Sequence, residues 1–122
     1  MIHKLRKQLE DVRCKKRNVF DDFDGIIKKV LRFYGHLFPK HSINKDGSRV
    51  VYHFGVEEVA AISLEKEHGS REFVPRYYAK LAMCGIEDLL TYIENSPEAG
   101  MIEELAAEEQ SGSETGDDND TE

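Results

Sequence analysis

The stretch His41-Ser42-Ile43-Asn44-Lys45-Asp46-Gly47-Ser48-Arg49-Val50-Val51-Tyr52-His53-Phe54 decides whether this chain is all-helical or mixed. Asp46-Gly47 suits a two-residue type I′ turn, in which both central residues need positive φ. The β-branched and aromatic run after it suits a pleated, half-buried surface. A β-hairpin near 41–54 is therefore expected. With Asp46-Gly47 as the loop, Lys45 pairs Ser48, Ile43 pairs Val50 and His41 pairs Tyr52. One face then carries Ile43, Val50, Tyr52 and Phe54 into the core, and the other carries Asn44, Arg49, Val51 and His53.

Upstream of the hairpin, apolar residues recur every three or four positions. They are Ile2, Leu5, Leu9, Val12 and Val19, then Phe20, Phe23, Ile27, Val30, Tyr34, Leu37 and Phe38. That is the period of an amphipathic helix. Lys16 interrupts the stripe. Asn18, Asp21, Asp22, Asp24 and Gly25 are cap and breaker residues, which favours two helices meeting near Asn18–Gly25 over one helix from 2 to 38. Pro39 ends the element, because the residue before proline is biased away from helix.

Downstream, Val56, Val59, Ala60 and Leu64 take helical spacing, with Glu57 and Glu58 in the first turn, and predict a helix at 56–67. The competing reading of 56–75 is a second hairpin, with strands near 59–65 and 71–78 joined through Glu67-His68-Gly69-Ser70. The last helix is clearer. Pro75 suits its first turn. Tyr78, Leu81, Ala82, Gly85, Ile86, Leu89, Leu90 and Ile93 make its apolar face, down to Asn95-Ser96-Pro97. Gly85 inside a helix costs about 1 kcal/mol against alanine, which points to close approach by another element. The expected architecture is a small single α+β domain over 1–97, with about four helices and one hairpin.

The chain has 122 residues, 39% hydrophobic and 34% charged, with a mean hydropathy of −0.58. No apolar run approaches the roughly 20 residues of a membrane-spanning helix. The first residues, Met1-Ile2-His3-Lys4-Leu5-Arg6-Lys7, contain no apolar core of a secretory leader. A cytoplasmic protein without a membrane partner is the expectation. Cys14 and Cys84 fit no Cys-x-x-Cys or metal spacing and read as reduced thiols.

The net charge of −7 conceals a gradient. Residues 1–49 hold 13 Lys and Arg against 6 Asp and Glu, whereas residues 98–122 hold 10 acidic residues and no basic one. Ser111 to Glu122 offers no large apolar side chain to offset the entropy of ordering, so an acidic and largely disordered C-terminal tail is expected over 98–122. Met101-Ile102-Glu103-Glu104-Leu105-Ala106 within it reads as a short docking helix or a frayed continuation of the last helix.

The chemistry-bearing residues form no recognisable reaction centre. None of His3, His36, His41, His53 and His68 lies three or four residues from another. Asp21, Asp22 and Asp24 lack the ligand alternation of a calcium loop, and Asp24 with Lys28 makes an i, i+4 pair without any ion. No phosphate-cradling loop, nucleophile elbow or dinucleotide fingerprint is present. No catalytic residue, metal ligand or cofactor is therefore assigned, and catalysis would need an unrecognised arrangement.

What remains are binding residues. Arg6, Arg13 and Arg17 flank the first apolar stripe. Lys28, Lys29 and Arg32 add a second basic patch, and Arg49 lies on the outer hairpin face. Tyr77 points away from the last helix's apolar face and suits a partner anchor. The leading expectation is a small non-catalytic binding or regulatory module that acts through protein–protein contacts, self-association included. The alternative is a nucleic-acid-binding protein whose basic N-terminal helices meet phosphates while the acidic tail competes internally. An enzyme of unrecognised type ranks third.

Overall fold

The computed structural model describes residues 1–67 and 72–96. In chain order these form α1 (Ile2–Arg13), α2 (Phe20–Tyr34), a 3-10 turn (Gly35–Leu37), β1 (Ser42–Asp46), β2 (Arg49–His53), β3 (Ile62–Glu65) and α3 (Arg76–Glu94). The strands make an antiparallel sheet in the order β1-β2-β3. One face of that sheet and the inward stripes of the helices share a single apolar core. The class is α+β, with three α-helices among the described residues rather than four.

The front of the chain is two helices. Ile2, Leu5, Leu9 and Val12 are all buried along α1, and Phe20, Phe23, Ile26, Ile27, Val30 and Tyr34 along α2. The break falls at Cys14–Val19, earlier than Asn18–Gly25. Asp21 and Asp22 occupy the first turn of α2, where negative charge meets the positive end of the helix dipole. Tertiary hydrogen bonds hold the linker in place. Phe20 N–H donates to the Glu72 carbonyl at 2.7 Å and Val74 N–H to the Asn18 carbonyl at 2.9 Å, beside an isolated Val19–Phe73 bridge.

The hairpin is present with a shifted register. Asp46 pairs Arg49, Lys45 pairs Val50, Ile43 pairs Tyr52 and Ser42 pairs His53, so the loop is Gly47-Ser48 rather than Asp46-Gly47. Among the described residues of the loop only Gly47 has positive φ, at 63°, which suits a turn with glycine at its first central position. The register changes by an even number of residues, so each side chain keeps its face. Val50, Tyr52 and Phe54 are buried as expected, but Ile43 is 36% exposed, because β1 is an edge strand exposed along its whole length.

The helix expected at 56–67 is absent. Residues 56–61 form a loop with Ala60 exposed, and Ile62–Glu65 is a strand. The rival hairpin reading is right about a strand here and wrong about its partner. β3 pairs with β2, with Val50 opposite Leu64 and Tyr52 opposite Ile62. Residues 76–78 open α3 instead of forming a strand, and residues 68–71 lie outside the described ones. The second edge of β2 is thereby hydrogen-bonded, and Ile62 and Leu64 enter the core beside Val50 and Tyr52.

α3 closes the core with Ala79, Ala82, Met83, Ile86, Leu89, Leu90 and Ile93. A Cβ at Gly85 would lie 2.8 Å from Cγ1 of Ile62, so glycine is what lets β3 seat against α3. Leu81, placed on the core face by its spacing, is instead 51% exposed. The disordered tail expected over 98–122, with its Met101–Ala106 segment, lies outside the described residues.

Candidate interaction surface

The guanidinium groups expected to form a basic stripe are turned back onto carboxylates of the second half of the chain. Arg6 donates to Glu94 from Nη2 at 2.6 Å and from Nε at 3.4 Å, and to the Thr91 hydroxyl at 3.2 Å. The hydrogen bond to Glu94 raises the Arg6 pKa above its ordinary value, partly offset by burial. Arg13, about two turns further along α1, pairs with Glu87 on α3 and with Glu10 on its own helix at 3.3 Å. α1 is thus fastened to α3 by two arginines on one flank.

Arg17 sits at the junction of three segments. Its Nη2 lies 2.9 Å from Glu67 Oε1, and its guanidinium stacks 3.7 Å from the centroid of the Phe73 ring. Arg49 faces Glu65 across the β2–β3 pair at 3.4 Å, a hydrogen bond that raises its pKa. Lys28 pairs with Asp24 at 3.1 Å, the i, i+4 contact expected from their spacing, and Lys29 donates to Gln8 Oε1 at 3.2 Å. Arg32 lies 5.4 Å from the ring of its neighbour Phe33. The eight candidate residues therefore do not form one patch. Arg6 and Arg13 are drawn to α3, Lys28 and Lys29 lie on α2, and Arg17 and Arg49 meet Glu67 and Glu65 at the C-terminal end of β3.

Tyr77, the eighth, is 69% exposed near the start of α3, with its ring edge-to-face on Tyr78 at 5.4 Å. At about 100° per residue, Leu81, Cys84, Asp88 and Thr91 fall within about 40° of Tyr77 around the helix axis. All of them are exposed. This stripe runs between two flanks: Arg6 and Arg13 of α1 reach Thr91, Glu94 and Glu87 on one side, and Ile62 of β3 meets Gly85 on the other. Arg76 and Lys80 border its first half. Sequence reasoning placed Tyr77 correctly at the surface but missed Leu81, Cys84 and Asp88. Their four-three-four spacing from Tyr77 was the available signal.

The remaining polar groups serve the fold. Tyr52, fully buried, donates to Asp24 Oδ1 at 2.6 Å, and burial followed by this hydrogen bond raises its pKa well above the phenol range. The ring Nδ1–H of His41 donates to the Phe38 carbonyl at 2.8 Å, next to Pro39. Cys14 and Cys84 are free and exposed. Among the described residues, no three His, Cys, Asp or Glu side chains are grouped to hold a metal ion, and no helix is long and apolar enough to cross a membrane. Comparison with protein-family models, curated proteins and solved structures gives no match for the chain.

Proposed function

We propose that the protein is a non-catalytic binding module that acts through protein–protein contacts, with the outward stripe of α3 as its contact surface. The observation that carries this reading is the exposure of Tyr77 at 69% and Leu81 at 51%, side by side on one helix, over a core that buries most other large apolar side chains among the described residues. An aromatic anchor beside an aliphatic one, bordered by charge, is the composition of a contact surface centre. A regulatory role in the cytoplasm fits this reading, with Cys14 and Cys84 as thiols.

The nucleic-acid reading draws less support. A phosphate backbone is tracked by cations presented together, whereas Arg6, Arg13, Arg17 and Arg49 are each engaged by a carboxylate.

Photo-crosslinking separates the two. A photoreactive amino acid at position 77 of the full chain is expected to capture protein in cells, and to lose that capture when combined with Leu81→Asp. The same group at position 53, on the outer sheet face, is the control. Equal capture from both positions, or capture of nucleic acid from position 77, overturns the proposal.

A further inference from the structure

We infer that the outward stripe of α3 pairs antiparallel with the same stripe of a second copy of this chain, about a two-fold axis between Leu81 and Cys84. The inference rests on the protein–protein reading above and names the occupant of that surface.

The spacing is the first reason. Tyr77, Leu81, Cys84 and Asp88 follow one another by four, three and four residues, the interval at which a helix returns side chains to one seam against another helix. Among the described residues this seam is α3's outward side, since α1 and β3 already occupy its flanks. A helix laid along it meets Tyr77, Leu81 and Cys84 over two turns, then Asp88.

Charge selects the partner and its direction. Arg76 and Lys80 border the first half of the seam and Asp88 occupies the second half, all exposed. A parallel copy would set Asp88 against Asp88 and Arg76 against Arg76, and like charges placed together are destabilising. An antiparallel copy reverses this. With the axis between Leu81 and Cys84, Leu81 of each chain lies over Cys84 of the other, forming two small apolar layers. Tyr77 of each chain then stands opposite Asp88 of the other, where the phenol can donate to the carboxylate, and Arg76 lies beside the same carboxylate. The two ends are equivalent, as a two-fold interface requires.

The arrangement also accounts for an acidic residue within an otherwise apolar seam. In a single chain Asp88 interrupts the stripe of Tyr77, Leu81 and Cys84. Across the axis it becomes the acceptor for the Tyr77 hydroxyl and the counter-charge for Arg76. Opposing helix dipoles add a small favourable contribution in the same direction. A seam of four layers is shorter than a standard stable interface, so a reversible, concentration-dependent dimer is expected.

The experiment is sedimentation equilibrium of the full chain across a concentration series at about 0.15 M salt, where long-range repulsion between acidic chains is screened. A monomer–dimer equilibrium is expected. Leu81→Asp and Asp88→Arg should each weaken it by at least about tenfold, with circular dichroism unchanged because both positions are exposed. The double variant Arg76→Asp with Asp88→Arg should restore most of the dimerisation that Asp88→Arg loses. The swap rebuilds the charge pair between positions 76 and 88 across the axis, though not the hydrogen bond that Tyr77 donates to Asp88. A dimer indifferent to Leu81→Asp, or a charge swap without rescue, overturns the inference. A chain that stays monomeric while position 77 still crosslinks a different protein overturns the inference and leaves the contact-surface reading intact. A monomer with no crosslinks from position 77 removes both.

Discussion

The Tyr52 hydroxyl donates a 2.6 Å hydrogen bond to Oδ1 of Asp24, which ties the central strand of the sheet to α2. The other carboxylate oxygen of Asp24 faces Lys28 at 3.1 Å. A short O–H···O bond to a carboxylate belongs to the stronger class of protein hydrogen bonds. Phenylalanine at 52 would keep the ring in the core and leave Asp24 with its solvent-side partner. Tyr52→Phe is expected to cost about 1.5–3 kcal/mol in urea unfolding, as hydrogen bonds to charged groups do. Asp24→Asn should cost less, because the amide oxygen still accepts. A Tyr52→Phe cost under about 0.5 kcal/mol would place the tie among ordinary surface contacts.

The same pair makes stability depend on alkaline pH. Burial, then the hydrogen bond to Asp24, raises the Tyr52 pKa above its unfolded value. The folded state therefore keeps a proton that an unfolded tyrosine gives up near about pH 10. The stabilisation is complete below that pH and is lost as pH rises beyond it, at up to about 1.4 kcal/mol per unit for one group. Unfolding free energy should fall above pH 10 more steeply in the natural protein than in Tyr52→Phe. Equal slopes would mean that Tyr52 ionises freely in the fold.

Much of this architecture is legible in the sequence, because the helices bury residues at their own period. Leu5, Leu9, Phe23, Ile27, Ile86 and Leu89 are core residues by spacing and by structure. The hairpin faces survive a wrong loop because an even slip preserves parity. β3 appears only in the rival reading of 56–75, because Ile62-Ser63-Leu64-Glu65 is too short for its alternation to outweigh the helical spacing of Val56, Val59 and Ala60. Its state is decided by the unpaired edge of β2, a tertiary fact. Leu81 escapes for a similar reason: its side of α3 is core or surface according to where α1 and β3 dock. The basic stripe dissolves because the partners of Arg6 and Arg13 lie on α3, distant in the sequence but packed against α1 in the fold.

Gly85 tests the seating of β3 on α3. Alanine would gain about 1 kcal/mol of helix propensity in open space. Here its Cβ would lie 2.8 Å from Ile62 Cγ1 and 3.2 Å from Cδ1. Gly85→Ala is therefore expected to destabilise by about 1–3 kcal/mol, as overpacking does. Ile62→Ala, which removes both Cγ1 and Cδ1, is costly by itself but should make Gly85→Ala less costly in the double variant. An additive double variant would show that the two residues do not press on each other.

Burial and ion pairing should separate clearly in magnitude. Leu89 is fully buried, so Leu89→Ala is expected to cost about 2–5 kcal/mol. The Arg6–Glu94 pair joins side chains 37% and 45% exposed, where solvent screening leaves such pairs about 0–1 kcal/mol. Arg6→Ala should fall in that range, and its cost should shrink in high salt. Lys29→Ala, at an exposed position, should cost under about 0.5 kcal/mol. Chemical denaturation of the three variants checks the order, and an Arg6→Ala cost near that of Leu89→Ala would make the α1–α3 pairing a main support of the fold.

The paired arginines also make a prediction about polyanions that net charge alone does not. If Glu87 and Glu94 hold Arg13 and Arg6, replacing both by glutamine frees two guanidinium groups on one flank of α1 and removes two negative charges. Replacing Glu57 and Glu58, both exposed in the loop before β3, removes the same charge without releasing an arginine. Electrostatic attraction to a polyanion rises with net charge in both cases, but only the first pair presents new cations together, where phosphates or sulfates engage them. Heparin or duplex DNA titrated at low salt should therefore bind Glu87→Gln/Glu94→Gln more tightly than Glu57→Gln/Glu58→Gln, with a steeper loss as salt rises. The natural chain should bind more weakly than either. Equal gains in the two double variants would mean that the carboxylates on α3 do not withhold Arg6 and Arg13 from anions, and the basic face of α1 would regain its standing as a nucleic-acid surface.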